Sequence, residues 1–81
     1  GLLHYKIETT KKKKLEQFLI KCNISLVKVE DDYVVFESER NAMENLIFNI
    51  VHNDCRFSAI YPLQQSLEST FFDLLGGNKI G

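Results

Sequence analysis

The stretch Leu26-Val27-Lys28-Val29-Glu30-Asp31-Asp32-Tyr33-Val34-Val35-Phe36-Glu37 decides the architecture. Two apolar-rich runs flank a pair of aspartates, the pattern of a β-hairpin. With Asp31-Asp32 as the turn, Val29 faces Val34 and Val27 faces Phe36 across the strands. Lys28, Glu30, Tyr33, Val35 and Glu37 then share the opposite face. Apolar side chains on one side and polar on the other are what a half-buried sheet requires. Asp-Asp is weaker turn chemistry than Asn-Gly, so a longer loop is an open alternative.

Upstream, Leu3, Tyr5 and Ile7 alternate with His4, Lys6 and Glu8, predicting a first strand over Leu3–Glu8. Thr9 and Thr10 offer hydroxyls for a helix start. Leu15, Phe18, Leu19 and Cys22 follow helical spacing, and Asn23 suits the left-handed residue that ends such a helix. Downstream, a second helix is expected from Ser38–Asn41 to Asn53, with the stripe Met43, Leu46, Ile47 and Ile50, and Val51 beside it. His52 in its last turn complements the helix dipole when protonated. A fourth strand is expected over Cys55–Tyr61, with Phe57, Ala59 and Tyr61 alternating with Arg56, Ser58 and Ile60, and Pro62 closing it. Ser66 is placed to cap a third helix carrying Leu67, Phe71, Leu74 and Leu75, ended by Gly76-Gly77.

The expected fold is therefore α+β and ferredoxin-like: a βαββαβ chain making an antiparallel sheet in the order 4-1-3-2, two helices on one face, plus a C-terminal helix. Residues 1–81 make a single small domain, with 62–77 a helical motif within it. Glycine occurs only at Gly1, Gly76, Gly77 and Gly81 and proline only at Pro62, so the interior is almost free of element breakers. The chain opens Gly1-Leu2-Leu3 without an initiator methionine, and the expectation is a piece of a longer polypeptide.

Ten Lys and Arg against eleven Asp and Glu leave a net charge of −1. That balance argues against a nucleic-acid partner, which favours a high pI and a clustered basic face. The open face of the sheet offers Tyr33 and at most Tyr5 for base stacking, without an RNP-type pattern. Cys22 and Cys55 match no metal spacing. In this topology they fall at opposite ends, so free thiols in a reducing compartment are expected.

Catalytic chemistry is sparse. His4 and His52 lie on different elements, and Ser66 and Ser69 read as a helix cap and its neighbour, since no His–acid pair accompanies them. No glycine-rich phosphate loop precedes a helix. Lys11–Lys14 sets four cations in a first helical turn, against the dipole. Such a run reads first as a solvated helix start, and second as a dock for an acidic protein or anionic lipid. Phe48 lies about 100° or more from the second helix's core stripe, and Phe72 is similarly displaced on the third. Two such aromatics mark a contact surface. The candidate interface residues are Phe48, Leu67, Phe71, Phe72 and Leu75.

The segment Pro62-Leu63-Gln64-Gln65-Ser66-Leu67-Glu68-Ser69-Thr70-Phe71-Phe72-Asp73-Leu74-Leu75-Gly76-Gly77 resembles the end of ATP-binding subunits of ABC transporters of the drug, bacteriocin and bacitracin exporter type. Those chains often close with Ser-Leu-Glu, an acidic residue, a hydrophobic-Phe pair and Leu-Thr-Gly. Ser66-Leu67-Glu68 matches and Phe71 fits the aromatic position, whereas Ser69 replaces the acidic residue and Leu75 the threonine. The likeness covers about a fifth of the chain. It implies a non-catalytic accessory domain, regulatory or for assembly, that follows an ATPase domain. ATP and Mg would be bound in that domain, and no cofactor in this one. The implied partners are the chain's own ATPase domain, a permease subunit and a second copy, at the cytoplasmic side of a membrane and linked to bacitracin or bacteriocin resistance. The alternative is a ligand-sensing ferredoxin-like domain, which would bind small molecules between paired copies.

Overall fold

The structure, a computed structural model, describes residues 1–63. The expected third helix, its glycine stop and most of the 62–77 motif lie outside the described residues. The fold is α+β. Strands β1 (Leu2–Glu8), β2 (Leu26–Val29), β3 (Tyr33–Glu39) and β4 (Ala59–Pro62) join helices α1 (Lys12–Lys21) and α2 (Met43–His52), with a 3₁₀ turn at Arg40–Ala42 before α2. The strands form one four-stranded sheet in the order β2-β3-β1-β4, antiparallel at every junction.

The central pair sets the core. Tyr5 pairs with Phe36 and Ile7 with Val34, so these four side chains share one face. Leu15 and Leu19 of α1 and Met43, Leu46 and Ile50 of α2 close over that face in one cluster. Phe36, Ile7, Leu15, Leu19, Ile50 and Val34 are almost wholly out of water. Each contributes about 1.5–3 kcal/mol of transfer free energy when fully buried. The Tyr5 and Phe36 rings stack at 5.9 Å between centroids.

Both helices end in the same device. Cys22 closes α1, Asn23 turns left-handed at φ 62°, and the Asn23 and Ile24 N–H groups donate to the Ile20 and Leu19 carbonyls. Asn53 closes α2, Asp54 turns left-handed at φ 58°, and the Asp54 and Cys55 N–H groups donate to Val51 and Ile50. This is the Schellman arrangement, in which orphan carbonyls of the last turn find donors beyond the helix. The residue after each left-handed one, Ile24 or Cys55, returns to the core.

Several local expectations are corrected. Val29 pairs with Val34 as read from sequence, but Leu26, not Val27, pairs with Phe36. A bulge between Leu26 and Lys28 sets Val27 as the extra residue, 49% exposed, and turns Leu26 toward the core. The hairpin closes by Glu30 N–H donating to the Tyr33 carbonyl, and neither aspartate has the positive φ of a primed turn. Strand β3 runs on through Ser38, which is buried in the sheet and takes no part in starting α2. Cys22 leaves the α1 stripe and is exposed, because the helix has ended there. No side chain caps α1 at Lys11; instead Thr9 Oγ1 accepts the Lys11 N–H at 2.9 Å and donates to the Arg56 carbonyl.

Strand β4 is shorter than expected and its parity is reversed. Ile60 lies opposite Ile7 and packs against the core, while Tyr61 lies opposite Lys6 on the open face. Phe57 also packs inward, but from the segment before the strand. Phe57 and Ile60 are three positions apart, an odd spacing that strict alternation cannot put on one face. The irregular step at Ser58 absorbs the difference.

Candidate functional site

Among the proposed interface residues, Phe48 is the one within the described residues. Met43, Leu46 and Ile50 point inward, so the helical period turns Phe48 outward, 57% exposed. Val51, one turn on, is also 57% exposed, against the expectation that it would flank the core. Ile47, half-buried, sits on the core side of both on the helix surface. The Phe48 ring stacks on His52 at 3.9 Å between centroids. His52 Nδ1 lies 3.1 Å from the Phe48 carbonyl, so Nδ1 carries the hydrogen, because a carbonyl only accepts. This stack orders an aromatic surface on the last turn of α2.

The open face of the sheet carries a web of polar contacts. His4 Nε2 meets Glu37 Oε2 at 3.2 Å directly across β1 and β3. Placing β1 beside β3 with both residues on the open face carries the sequence signal for this pair, which single-residue reasoning missed. Tyr61 Oη donates to Glu8 at 2.8 Å. The Glu8 carboxylate, as hydrogen-bond acceptor first and as a neighbouring charge, pushes the Tyr61 phenol above its ordinary value. Lys6 Nζ lies 4.0 Å and Lys28 Nζ 5.9 Å from the Tyr33 ring centroid. Tyr33 first, and Glu30 behind it, hold the Lys28 ammonium above its usual range. The two lysine stems cross the face from either side of β3, where Val35 is only 5% exposed.

The lysine run is partly neutralised at home. Lys12 meets Asp31 at 3.2 Å and Lys14 meets Asp54 at 3.6 Å, with Arg56 on the same aspartate at 3.7 Å. These exposed pairs contribute about 0–1 kcal/mol each and relieve the dipole conflict at the start of α1. Cys55 is buried and Cys22 exposed, both as free thiols. Burial pushes the Cys55 thiol up, with Lys14 pulling it down and Asp54 pushing it up to lesser degrees.

Among the described residues no three His, Cys, Asp or Glu side chains group as metal ligands would. No helix among them is long and apolar enough to cross a membrane. His4 has a carboxylate partner but no serine, threonine or cysteine hydrogen-bonded to it among the described residues. Leu67, Phe71, Phe72 and Leu75 lie outside the described residues. Comparison with family models, with curated proteins and with solved structures finds no match to this chain.

Proposed function

We propose that this domain is a non-catalytic regulatory or assembly element at the C-terminus of an ABC-exporter ATP-binding chain, ferredoxin-like in topology, contacting its ATPase domain or a second subunit. The observation that carries the reading is the exposed aromatic ridge of α2, where Phe48 and Val51 are each 57% in water on an otherwise well-sorted helix. An ordered apolar ridge of this kind gains its stabilisation when a partner covers it. The family part of the reading is supported by the tail's resemblance, through Ser66-Leu67-Glu68 and Phe71. ATP and Mg belong to the ATPase domain, which sits at the cytoplasmic side of the membrane through a permease, and no nucleic acid is involved.

The test uses the full-length chain. Phe48→Ala and Phe72→Ala are each measured for ATPase rate and for self-association by analytical ultracentrifugation. The expected outcome is a change in one or both for each variant, with the fold retained by circular dichroism. Unchanged rate and association for both variants would remove the interface. Thermal stabilisation by an export substrate would favour the ligand-sensing alternative instead.

A further inference from the structure

The exposed charges of α2 are placed symmetrically about Phe48. Met43, Leu46 and Ile50 form the inward stripe, and Glu44, Phe48, Val51 and His52 are exposed. Glu44 lies four positions before Phe48 and His52 four positions after it. Each is about 6 Å along the helix axis and about 40° around it from Phe48. An apolar centre thus has an acid at one end and a base at the other. Among the described residues neither Glu44 nor His52 has an oppositely charged partner. His52 Nδ1 is committed to the Phe48 carbonyl, so Nε2 is the ring nitrogen open to one.

This order is complementary to itself. Turned end for end about a two-fold axis at Phe48, a second α2 sets its His52 against Glu44 and its Glu44 against His52, with Phe48 on Phe48 between them. A parallel arrangement sets like charges together instead. Any other partner has to supply an apolar centre with the two charges reversed, and a second copy supplies it without further requirement. The ten-residue helix is about 15 Å long, so the contact belongs to the small and transient class.

We infer that α2 is the contact between two copies of this chain, packed antiparallel about Phe48, with Glu44 and His52 paired across the two-fold axis at both ends. The inference rests on the reading of the Phe48 ridge as an interface and names its partner: a second copy, not the ATPase domain.

The experiment is sedimentation equilibrium on the full 81-residue chain, carried up to millimolar concentration. A monomer–dimer equilibrium is expected. His52→Glu alone sets carboxylate against carboxylate at both ends and should weaken association by about 2- to 30-fold, since two symmetry-related pairs are lost together. Glu44→Lys with His52→Glu rebuilds both pairs with their signs exchanged and should return association close to that of the parent. Effects confined to the helix run the other way, because the double exchange opposes the dipole at both ends of α2 and is the worse of the two variants for folding. A chain that stays monomeric at every concentration overturns the inference. So does association that His52→Glu leaves untouched, or a double variant no tighter than His52→Glu. The ridge would survive any of these as an interface if Phe48→Ala changes the ATPase rate of the full-length chain, and its partner would then be the ATPase domain.

Discussion

Asp54 at the end of α2 repeats the backbone of Asn23 at the end of α1, φ 58° against 62°, and each sends the next residue back into the core. The left-handed region is costly for side chains other than glycine, and Asn and Asp bear it best. Asn23→Val is therefore expected to cost about 1–2 kcal/mol, and Asn23→Gly to stay within about 0.5 kcal/mol of the parent. Urea melts measure both. Asn23→Val as stable as the parent would mean that α1 ends some other way.

The core and the ridge should respond oppositely to the same change. Phe36 is wholly buried and Phe48 is 57% exposed. Phe36→Ala should cost about 3–5 kcal/mol, a large share of the total for a domain this small. Phe48→Ala in the isolated domain should cost under about 0.5 kcal/mol. Chemical denaturation followed by circular dichroism separates them, and comparable losses would contradict the placement of Phe48.

Alkaline pH should weaken the fold. Tyr61 and Lys28 are both held above their ordinary values of 10.0 and 10.5, and Cys55 above 9.0. A raised folded-state pKa means that the unfolded chain releases its proton first. The contribution is thus fully present below the ordinary value and is lost as pH rises through the folded one. The urea midpoint should fall from pH 9 upward, and Tyr61→Phe should make that fall shallower. A midpoint that is flat to pH 11, or a slope untouched by Tyr61→Phe, would contradict the Tyr61–Glu8 bond.

The two thiols should differ in rate. Cys22 is exposed and Cys55 is buried with its pKa raised, and the thiolate is the reactive form. Ellman's reagent should titrate Cys22 promptly and Cys55 only at the rate of opening or in denaturant. Two equally fast thiols would mean that Cys55 is not buried in the core.

Ion pairs at the start of α1 are a minor contribution. Lys12→Ala and Lys14→Ala should each change stability by under about 1 kcal/mol, with the effect shrinking in high salt. A larger, salt-independent loss would assign the run a structural role that its exposure does not suggest.

Much of this molecule was legible in one dimension. Period-two alternation located β1 and the hairpin, and 3.6-residue spacing located both helices and their inward residues, because burial of one face constrains every residue along an element. Asn23 announced its helix end through the same local chemistry. Asp54 carries no such mark, since an aspartate beside Asn53 is unremarkable until the backbone turns left-handed there. The bulge at Val27 and the irregular step at Ser58 were invisible for a related reason. Each inserts a residue into an otherwise regular alternation, and its location depends on which partner strand must be matched.

Pattern and composition thus determined the four strands and two helices of the described residues, their order and the inward face of β1, all of which follow from local sterics and from water's rejection of apolar stripes. Three-dimensional packing chose the rest: the His4–Glu37 pair, the Tyr61–Glu8 bond and the reversed face of β4. These join residues dozens of positions apart. Such contacts depend on the relative lengths and registers of neighbouring strands, quantities that no single segment encodes.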